Sequence, residues 1–483
     1  MTLSINRQKD FHIAPMLDVS TPEFMNLFRI LSKRAIIWTE MIVDETIMYS
    51  NDLESHLAYS PHLAPIICQI GGRNPEFCGK ATRIVESYKY DEVNLNIDCP
   101  SSRVSGKRKF GAILMKDAET ANEVVAAMND NARNVPISVK TRVGIECEDG
   151  EILDTMDHLI DFIDDLRKRG CKKFYIHARK CVIGGLTPAQ NRLVPPLNYP
   201  RVYALCHRFP DCEFIMNGGI PGLAAAKLIC DGIQKIISRG KNACEELEAR
   251  DCENEKHKVP CEICNVSNGS CTVPPIIAPS NLTGVMLGRA CMENPAMFWD
   301  IDKHFYGDSV NPCQTRRDAL NQYCEYLETT YPRRCCDNDQ RITSRIPAPK
   351  VETYAKSGGC PICSCIYDRA EHSNTSQLNE SEQPSSKAKI KITSRVVDRS
   401  LRPILGIFFG LRNSKQFRRE CDKLSRDKTI RNCGPGFILR QALLAMPSEM
   451  LDQPFTNTED LVDTDVPLHV GPRNDGCKGC VGS

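Results

Sequence analysis

Residues 94–100, NLNIDCP, place a cysteine directly after a stretch in which apolar and polar residues alternate. The alternation of Val93, Leu95 and Ile97 with polar residues predicts a β-strand. Cys99 therefore stands at the carboxyl end of this strand, whereas a cysteine that only fills space normally lies inside an apolar run. Whether its thiol takes part in chemistry depends on the groups that the fold brings to the same place.

Two glycine motifs could bind a phosphate group. MNGGIPG occupies residues 216–222 and MLGRA occupies residues 286–290, each at the end of a predicted strand. Backbone N–H groups at such turns bind anions, particularly beside the N-terminus of a helix. Either motif alone is typical of an ordinary tight turn, but the two together indicate a phosphate site.

The elements that must position these groups alternate along the chain. Eight short apolar runs predict strands at 11–16, 35–40, 64–70, 92–97, 136–141, 173–178, 213–218 and 284–288. Segments with helical periodicity lie between them, for example at 75–88, 118–130 and 154–170. Strand alternating with helix predicts a parallel sheet. Eight such units favour an α/β fold of the TIM (β/α)8 barrel type over an open doubly wound sheet.

A barrel brings the carboxyl ends of its strands together at one mouth. Six of the predicted strands end in a residue with a functional side chain: Glu40, Gln69, Cys99, Lys140, His177 and Asn217. One such residue would be explained by hydrogen bonding to a loop, but six at one mouth indicate an active site.

The chain changes character after the last predicted strand. We expect a barrel domain over 9–307 with an insertion at 237–283, followed by a smaller all-α helical domain over 308–450. The polar segment 333–388 predicts a disordered insertion in the helical domain, and 451–483 predicts a flexible tail.

The net charge of +1 is unevenly distributed along the 483 residues. From Lys387 to Arg431, fourteen Lys or Arg stand against four Asp or Glu, an excess of ten positive charges that is typical of a nucleic-acid-binding surface. The sequence contains no run of about eighteen apolar residues, so no membrane span is predicted. The N-terminal segment has no apolar region of the kind found in a leader peptide. We expect a monomeric, cytoplasmic protein with reduced thiols.

Taken together, the motifs resemble one enzyme family. In order along the chain stand IAPMLDVS, CQIGG, NLNIDCPSSRV, FGAILM, VKTRVGI, IHARK, NGGI and GVMLGRA. This series is similar to the tRNA-dihydrouridine synthases, and HARK followed by NRLVPPL resembles their A-type subfamily. The resemblance covers about residues 11–307 and resumes at RPILGIFFG in the expected helical domain.

The resemblance implies a barrel that binds FMN and, with NADPH as reductant, reduces the C5=C6 bond of a uridine in the D-loop of tRNA. The subfamily suggests uridines 20 and 20a. Positions that would line the flavin ring, contact its polar edge or hold its phosphate are Pro15, Met16, Leu17, Gln69, Lys140, His177, Asn217, Gly218, Gly219, Gly288 and Arg289. The fixed positive charge of a lysine there would favour an anionic reduced flavin.

The same resemblance implies that Cys99 is a general acid. Hydride transfer to uracil C6 leaves negative charge that a proton at C5 must quench, and a thiol with an ordinary pKa of about 8.5 is mostly protonated at neutral pH. Asn96 corresponds to a base-contacting position, with a cap on the strand exit as the alternative. The other positions expected to contact tRNA are Arg103, Lys109, Arg179, Lys180 and Arg192.

The chain contains 26 cysteines, some of them in CxxC pairs at 261–264, 360–363 and 477–480. Such pairs raise a zinc hypothesis, but they lie far apart in separate segments and their spacings match no standard finger. We expect reduced thiols there and no metal site.

Two alternatives to a tRNA-modifying oxidoreductase stay open at this point. A flavin barrel acting on a free pyrimidine, of the dihydroorotate or dihydropyrimidine dehydrogenase type, would have no use for a basic helical domain. A catalytically inactive, cysteine-rich RNA-binding protein would have no use for a complete flavin set together with Cys99.

Overall fold

Eight parallel strands close into a barrel. The computed structural model describes residues 8–100, 110–231, 278–332 and 392–455, and two short strands at 265–267 and 270–272. The barrel strands are β1 Asp10–Ile13, β2 Ile37–Val43, β3 Ile66–Gly71, β4 Glu92–Ile97, β5 Ile137–Arg142, β6 Lys173–His177, β7 Glu213–Asn217 and β8 Leu282–Leu287. Their order is β1-β8-β7-β6-β5-β4-β3-β2. The predicted (β/α)8 fold is confirmed, and each strand overlaps its predicted position.

The barrel closes between its first two strands. The Ile13 N–H donates to the carbonyl of Ile36 at 2.9 Å, and the Ile36 N–H donates to the carbonyl of Phe11 at 2.9 Å. Because every strand now has two neighbours, the sheet has no exposed edge. The carboxyl ends of all eight strands therefore meet at one mouth.

Helices separate the strands in chain order. In the barrel they are α1 Pro22–Leu31, α2 Asp44–Tyr49, α3 Glu54–Leu57, α4 Pro75–Ser87, α5 Ala118–Asn131, α6 Met156–Lys168, α7 Tyr199–Arg208, α8 Leu223–Asp231 and α9 Arg289–Glu293. Their starts follow from local sequence: Asn74 accepts a hydrogen bond from the Phe77 N–H at 3.0 Å to cap α4. Thr155 caps α6 in the same way.

The interior of the barrel is filled by side chains from several of its strands. One buried cluster comprises Ala14, Trp38, Ile67, Tyr175, Ile215 and Met286. Below it, at the amino ends of the strands, the carboxylate of Glu92 accepts from Tyr175 at 2.9 Å and pairs with Lys173 at 2.8 Å. A packed interior of this kind leaves the mouth as the place for chemistry.

Further helices follow the barrel strands. They are α10 Arg316–Thr330, α11 Ser394–Leu401, α12 Ser414–Arg426, α13 Lys428–Asn432, α14 Pro435–Leu444 and α15 Ser448–Asp452. The apolar and basic stretch 401–424 is not one helix, because α11 ends at Leu401 and α12 begins at Ser414. Between them Gly410 has a φ of +76° and Asn413 a φ of +30°, conformations that a continuous helix excludes.

The chain divides into two compact units. The first takes its described residues from Met1–Leu320, Gly406–Leu411 and Asp452–Ser483, and the second from Asn321–Leu405 and Arg412–Leu451. In the second unit, the Tyr323 hydroxyl donates to the carbonyl of Ser400 at 2.7 Å in a buried position. The predicted domain boundaries stay a prediction.

Several predicted segments reach beyond the described part of the chain. The insertion at 333–388 and the three CxxC pairs lie outside it. Of the insertion at 237–283, residues 278–283 are described, with an antiparallel pair of strands at Asn265–Ser267 and Ser270–Thr272. Of the tail, residues 451–455 are described, and Phe455 stacks on Trp299 with ring centroids 5.3 Å apart. None of the described helices has the length and apolar character needed to cross a membrane.

Candidate active site

The strand register brings the predicted polar residues side by side at the mouth. Gln69 pairs with Asn94 across β3 and β4, and Asn96 pairs with Lys140 across β4 and β5. On the other side, His177 on β6 pairs with Asn217 on β7. Because side chains two residues apart in a strand share a face, this register aims the set into one region.

Asp98 is the centre of a charged cluster at this mouth, which we call the Asp98 cluster: Asp98, Lys140, Arg142 and His177. The Asp98 carboxylate pairs with the Lys140 ammonium through Oδ2, while its Oδ1 lies 2.7 Å from Arg142 Nε and 3.2 Å from His177 Nδ1. The side chains of Lys140 and Arg142 are 4% and 2% exposed. Two buried cations thus share one carboxylate.

The charge states of the cluster follow from burial and proximity. Burial raises the pKa of Asp98, but Lys140 and Arg142 outweigh burial and leave that pKa well below its ordinary value. Burial lowers the pKa of Lys140, and the charge of Asp98 opposes this shift. Burial and the charge of Arg142 lower the pKa of His177 to about 3. At neutral pH the carboxylate is therefore ionised and the imidazole is neutral.

Cys99 is held in place by the side chain of Asn96. The Asn96 amide nitrogen donates to Gln69 Oε1 at 3.0 Å, and its Oδ1 accepts from the Cys99 N–H at 3.1 Å and the Asp98 N–H at 3.3 Å. The Asn96 side chain therefore caps the end of β4, as the alternative interpretation of this residue predicted. A contact of Asn96 with a base stays a prediction.

The exposure of Cys99 sets it apart from the other described cysteines. Thirteen of the fourteen free cysteines in the described residues are buried, and Cys99 is the partly exposed one. Burial raises the pKa of Cys68 on β3 to about 12, as it does for Cys181. Such thiols act as small apolar side chains, whereas Cys99 is partly exposed to solvent.

The two glycine motifs form a backbone cradle. Gly218 has a φ of +114°, and a Cβ there would lie 2.7 Å from His177 Cδ2. Gly219 has a φ of +63°, and a Cβ there would lie 2.5 Å from Leu197 Cδ1. The Gly218 carbonyl accepts from the Tyr199 hydroxyl at 2.6 Å, and Asn217 Nδ2 donates to the carbonyl of Met286 at 2.8 Å. Only glycine fits this turn, because His177 and Leu197 lie against it and both residues have a positive φ.

The remaining predicted flavin contacts follow β1 and β8. A Cβ on Gly288 would lie 3.4 Å from Met16 Sδ, so the end of β8 and the segment after β1 are in contact range. Pro15 is partly exposed, and Leu17 is 65% exposed. Arg289, at the start of α9, donates through Nη2 to the carbonyl of Arg192 at 3.0 Å.

Three of the arginines and lysines predicted to contact tRNA are described, and they differ in exposure and in bonding partners. Arg192 is exposed. Arg179 is 9% exposed and donates to the carbonyls of Leu193 and Pro195, so it supports the loop after β6. Lys180 pairs with Glu146 at 3.0 Å. Their contacts with RNA stay predictions, and Arg103 and Lys109 lie outside the described residues.

Two site residues escaped the sequence analysis, Asp98 and Arg142. Arg142 could have been found, because it lies two residues after Lys140 on the same strand and so shares its face. Asp98 gave no comparable signal. It follows the last residue of β4, and its three partners come from two other strands.

Comparisons with known proteins identify the family of this chain. The family model for dihydrouridine synthase matches residues 12–243. The tRNA-dihydrouridine(20/20a) synthase of Escherichia coli (strain K12) is 40% identical over 300 residues, which cover 62% of this chain and 70% of that protein. Among solved structures, morphinone reductase in complex with tetrahydroNAD is 11% identical with a TM-score of 0.33, covering 62% of this chain and 87% of that one. A structural likeness of this size supports no inference.

A second relative extends the match. The tRNA-dihydrouridine(20/20a) synthase of Yersinia pestis is 33% identical over 319 residues, which cover 66% of this chain and 75% of that protein. This alignment of 319 residues is longer than the match to the family model, which covers residues 12–243. An identity of 33% over such a length is far above the identity expected by chance. The chain belongs to the dihydrouridine synthase family.

Proposed function

We propose that this protein is a tRNA-dihydrouridine synthase that reduces the C5=C6 bond of a D-loop uridine, at position 20 or 20a. The observation that carries the proposal is the placement of Cys99. Among the described cysteines it is the one that is not buried, and the Asn96 side chain holds its backbone beside the Asp98 cluster. The curated relatives are named for the same reaction on tRNA.

The residues at the mouth fit a flavin nucleotide, and we propose FMN with NADPH as the reductant. Gly218 and Gly219 form a turn of positive φ directly after β7, and the backbone N–H groups of such a turn suit the phosphate end. Arg289, which follows Gly288 at the start of α9, would supply a cation for the phosphate. Further contacts with the flavin would come from Pro15, Met16, Leu17, Asn217 and Gly288, which lie at or directly after the carboxyl ends of β1, β7 and β8. When bound, the flavin supplies a hydride to uracil C6.

Three polar side chains would contact the ring edge of the flavin: Gln69, Lys140 and His177. Gln69 is oriented by hydrogen bonds to Asn94 at 2.9 Å and Asn96 at 3.0 Å. Lys140 places a buried positive charge where the reduced ring carries negative charge. The neutral imidazole of His177 contributes hydrogen bonding without a further charge.

Cys99 would then supply the proton that completes the reaction. Its thiol donates to C5 of the uracil as the negative charge develops there. Asn96 fixes the Cys99 N–H, and the Ala112 N–H donates to the Cys99 carbonyl at 3.0 Å. Because hydrogen bonds hold both the N–H and the carbonyl of Cys99, its thiol would keep a constant orientation towards the uracil ring.

The second unit supplies a surface suited to RNA. Its exposed cations include Arg395, Arg402, Lys415, Arg418, Arg419, Lys423, Arg426 and Lys428. Such charges bind the phosphate backbone with little dependence on base sequence. A dehydrogenase for free pyrimidines would gain nothing from them, and this separates the proposal from that alternative.

The proposal is tested with Cys99→Ala. We expect dihydrouridine formation on unmodified tRNA to fall at least about 100-fold, the usual contribution of a general acid. Cys68→Ala is the matched control, since Cys68 is 0% exposed in β3 and has no part in the proposed reaction. Full turnover by Cys99→Ala would contradict the assigned role.

The cofactor assignment needs its own measurement. The purified protein is expected to release FMN on denaturation, identified by mass, and its flavin absorbance is expected to bleach on addition of NADPH. Turnover of free uracil or dihydroorotate at the rate of tRNA would favour the alternative enzyme, and absence of any flavin would favour the inactive RNA-binding protein.

A further inference from the structure

Asp98 takes no part in the reaction proposed above, yet it joins three other charged or polar side chains at the mouth. Its side chain is 15% exposed, and its two oxygens are divided between partners. Oδ2 pairs with Lys140, and Oδ1 accepts from Arg142 at 2.7 Å and from His177 at 3.2 Å. Its backbone carbonyl also accepts from Arg142 Nε at 3.1 Å.

The contact with His177 decides which nitrogen of the imidazole carries the proton. An ionised carboxylate can only accept hydrogen bonds, so Nδ1 must donate to it. In a neutral imidazole this leaves Nε2 as an acceptor. Nε2 points towards the cradle, because a Cβ on Gly218 would lie 3.3 Å from it.

The contacts with Lys140 and Arg142 decide the net charge at the mouth. The two cations are almost fully buried, so solvent does not screen them well. With His177 neutral, the Asp98 cluster has a charge of +1. Without the carboxylate the same cluster would have a charge of +2 beside the cofactor.

We infer that Asp98 is a positioning residue of the flavin site, which holds Lys140, fixes the Nδ1–H tautomer of His177 and offsets one of the two positive charges beside the flavin. The inference rests on the proposed function. Offsetting this charge makes the site a weaker stabiliser of the anionic reduced flavin, so it lowers the reduction potential and leaves the bound reduced flavin a stronger hydride donor.

A matched carboxylate lies at the other end of the same strand. Glu92 begins β4, is 3% exposed and pairs with Lys173, just as Asp98 follows β4 and pairs with Lys140. Glu92→Gln and Asp98→Asn therefore make the same chemical change, one far from the mouth and one in it.

The first measurement uses flavin-free protein and begins with the wild type. Imidazole 15N spectra, with His177 assigned from the His177→Gln variant, are expected to show a proton on Nδ1 and an unprotonated Nε2 in the wild type. Asp98→Ala is expected to convert His177 to a mixture of tautomers, while Glu92→Gln leaves it unchanged. A wild-type His177 protonated on Nε2 would overturn the inference.

The second measurement is the midpoint potential of the bound flavin. Asp98→Asn is expected to bind reduced flavin about tenfold more tightly relative to oxidised flavin, which raises a two-electron potential by about 30 mV. Glu92→Gln should leave the potential at the wild-type value. An unchanged or lowered potential in Asp98→Asn, or equal shifts in both variants, would overturn the inference.

These outcomes are separable from failure of the proposed function. If the wild type forms dihydrouridine but Asp98→Asn keeps its potential, only the inference about Asp98 fails. If the wild type binds flavin but leaves tRNA unchanged, the proposed function fails while the potential still tests the inference. If the wild type binds no flavin, the charge-offset part of the inference fails as well.

Discussion

Strand β4 begins at the buried Glu92 and is followed by Asp98, whose side chain is 15% exposed, and these two carboxylates lie at opposite ends of the barrel. Glu92 accepts hydrogen bonds from Tyr175 at 2.9 Å and Ser138 at 2.5 Å in addition to its pairing with Lys173. All its partners are neutral hydroxyls or a lysine that reaches the surface. The amino end is therefore a closed structural network.

The network around Asp98 is built differently. Its partners are two buried cations and an imidazole, and all three lie at strand ends that face the mouth. This end holds more positive than negative charge and borders the glycine cradle. The difference teaches that burial of a charged group marks a functional site only when the surrounding charge is left unbalanced towards an open space.

The strongest test of this difference is Glu92→Ala. It leaves the Tyr175 hydroxyl and the Lys173 ammonium without their acceptor, and breaking such a buried pair typically costs about 3 kcal/mol. We expect the free energy of unfolding in urea to fall by about this amount, while dihydrouridine formation per folded molecule stays at the wild-type value. Loss of turnover in the folded variant would show that the amino end is not purely structural.

A second test compares two glycines of positive φ. Gly218→Ala places a Cβ 2.7 Å from His177 Cδ2, whereas at Gly307, with a φ of +78°, nothing lies within 4 Å of the added Cβ. Both variants pay for the backbone conformation, at about 1 kcal/mol. Only Gly218→Ala is expected to weaken flavin binding, by at least about tenfold in a fluorescence titration. Equal binding by the two variants would remove the cradle from the proposed site.

The smallest effect concerns two buried histidines. Burial and Arg142 lower the pKa of His177 at the mouth to about 3, and burial lowers the pKa of His12 inside the barrel. Below about pH 6.5 each histidine takes up a proton in the unfolded chain but not in the folded one, so stability falls with falling pH. His177→Gln is expected to reduce this slope by about 1.4 kcal/mol per pH unit between pH 4.5 and 5.5.

The control for that slope is His12→Gln, measured by urea unfolding over the same range. It is also expected to reduce the slope, because burial lowers the pKa of His12 in the folded protein. A slope in His177→Gln identical to that of the wild type would mean that His177 is already protonated in the folded protein, contrary to its neutral state in the Asp98 cluster.

Much of the barrel was predictable from local sequence. The alternation in residues 92–97 predicted β4 to the residue, and the periodicity at 75–88 predicted α4 to within one residue. Both succeed because period and capping are local properties of the chain. The helix boundaries within 401–424 could not be predicted in this way. The apolar and basic pattern of this segment continues across the residues of positive φ that separate α11 from α12.

The candidate site was predictable in its members but not in its contacts. Lys140 and His177 could be named from their places at strand ends, but nothing in the sequence shows that one carboxylate joins them. Likewise, the alternation around Asn96 does not reveal that its amide caps the Cys99 N–H. Such contacts depend on the stagger between strands that lie up to 79 residues apart in the chain.

The sequence by itself determined the strands, the helices, the glycine turns and the presence of a cysteine at a strand exit, because each depends on neighbours along the chain. Only the tertiary structure decided that Asp98 joins Lys140, Arg142 and His177, and that thirteen described cysteines are buried while Cys99 is not. The physical reason is barrel closure: it fixes which strand ends face each other and which side chains water can still reach.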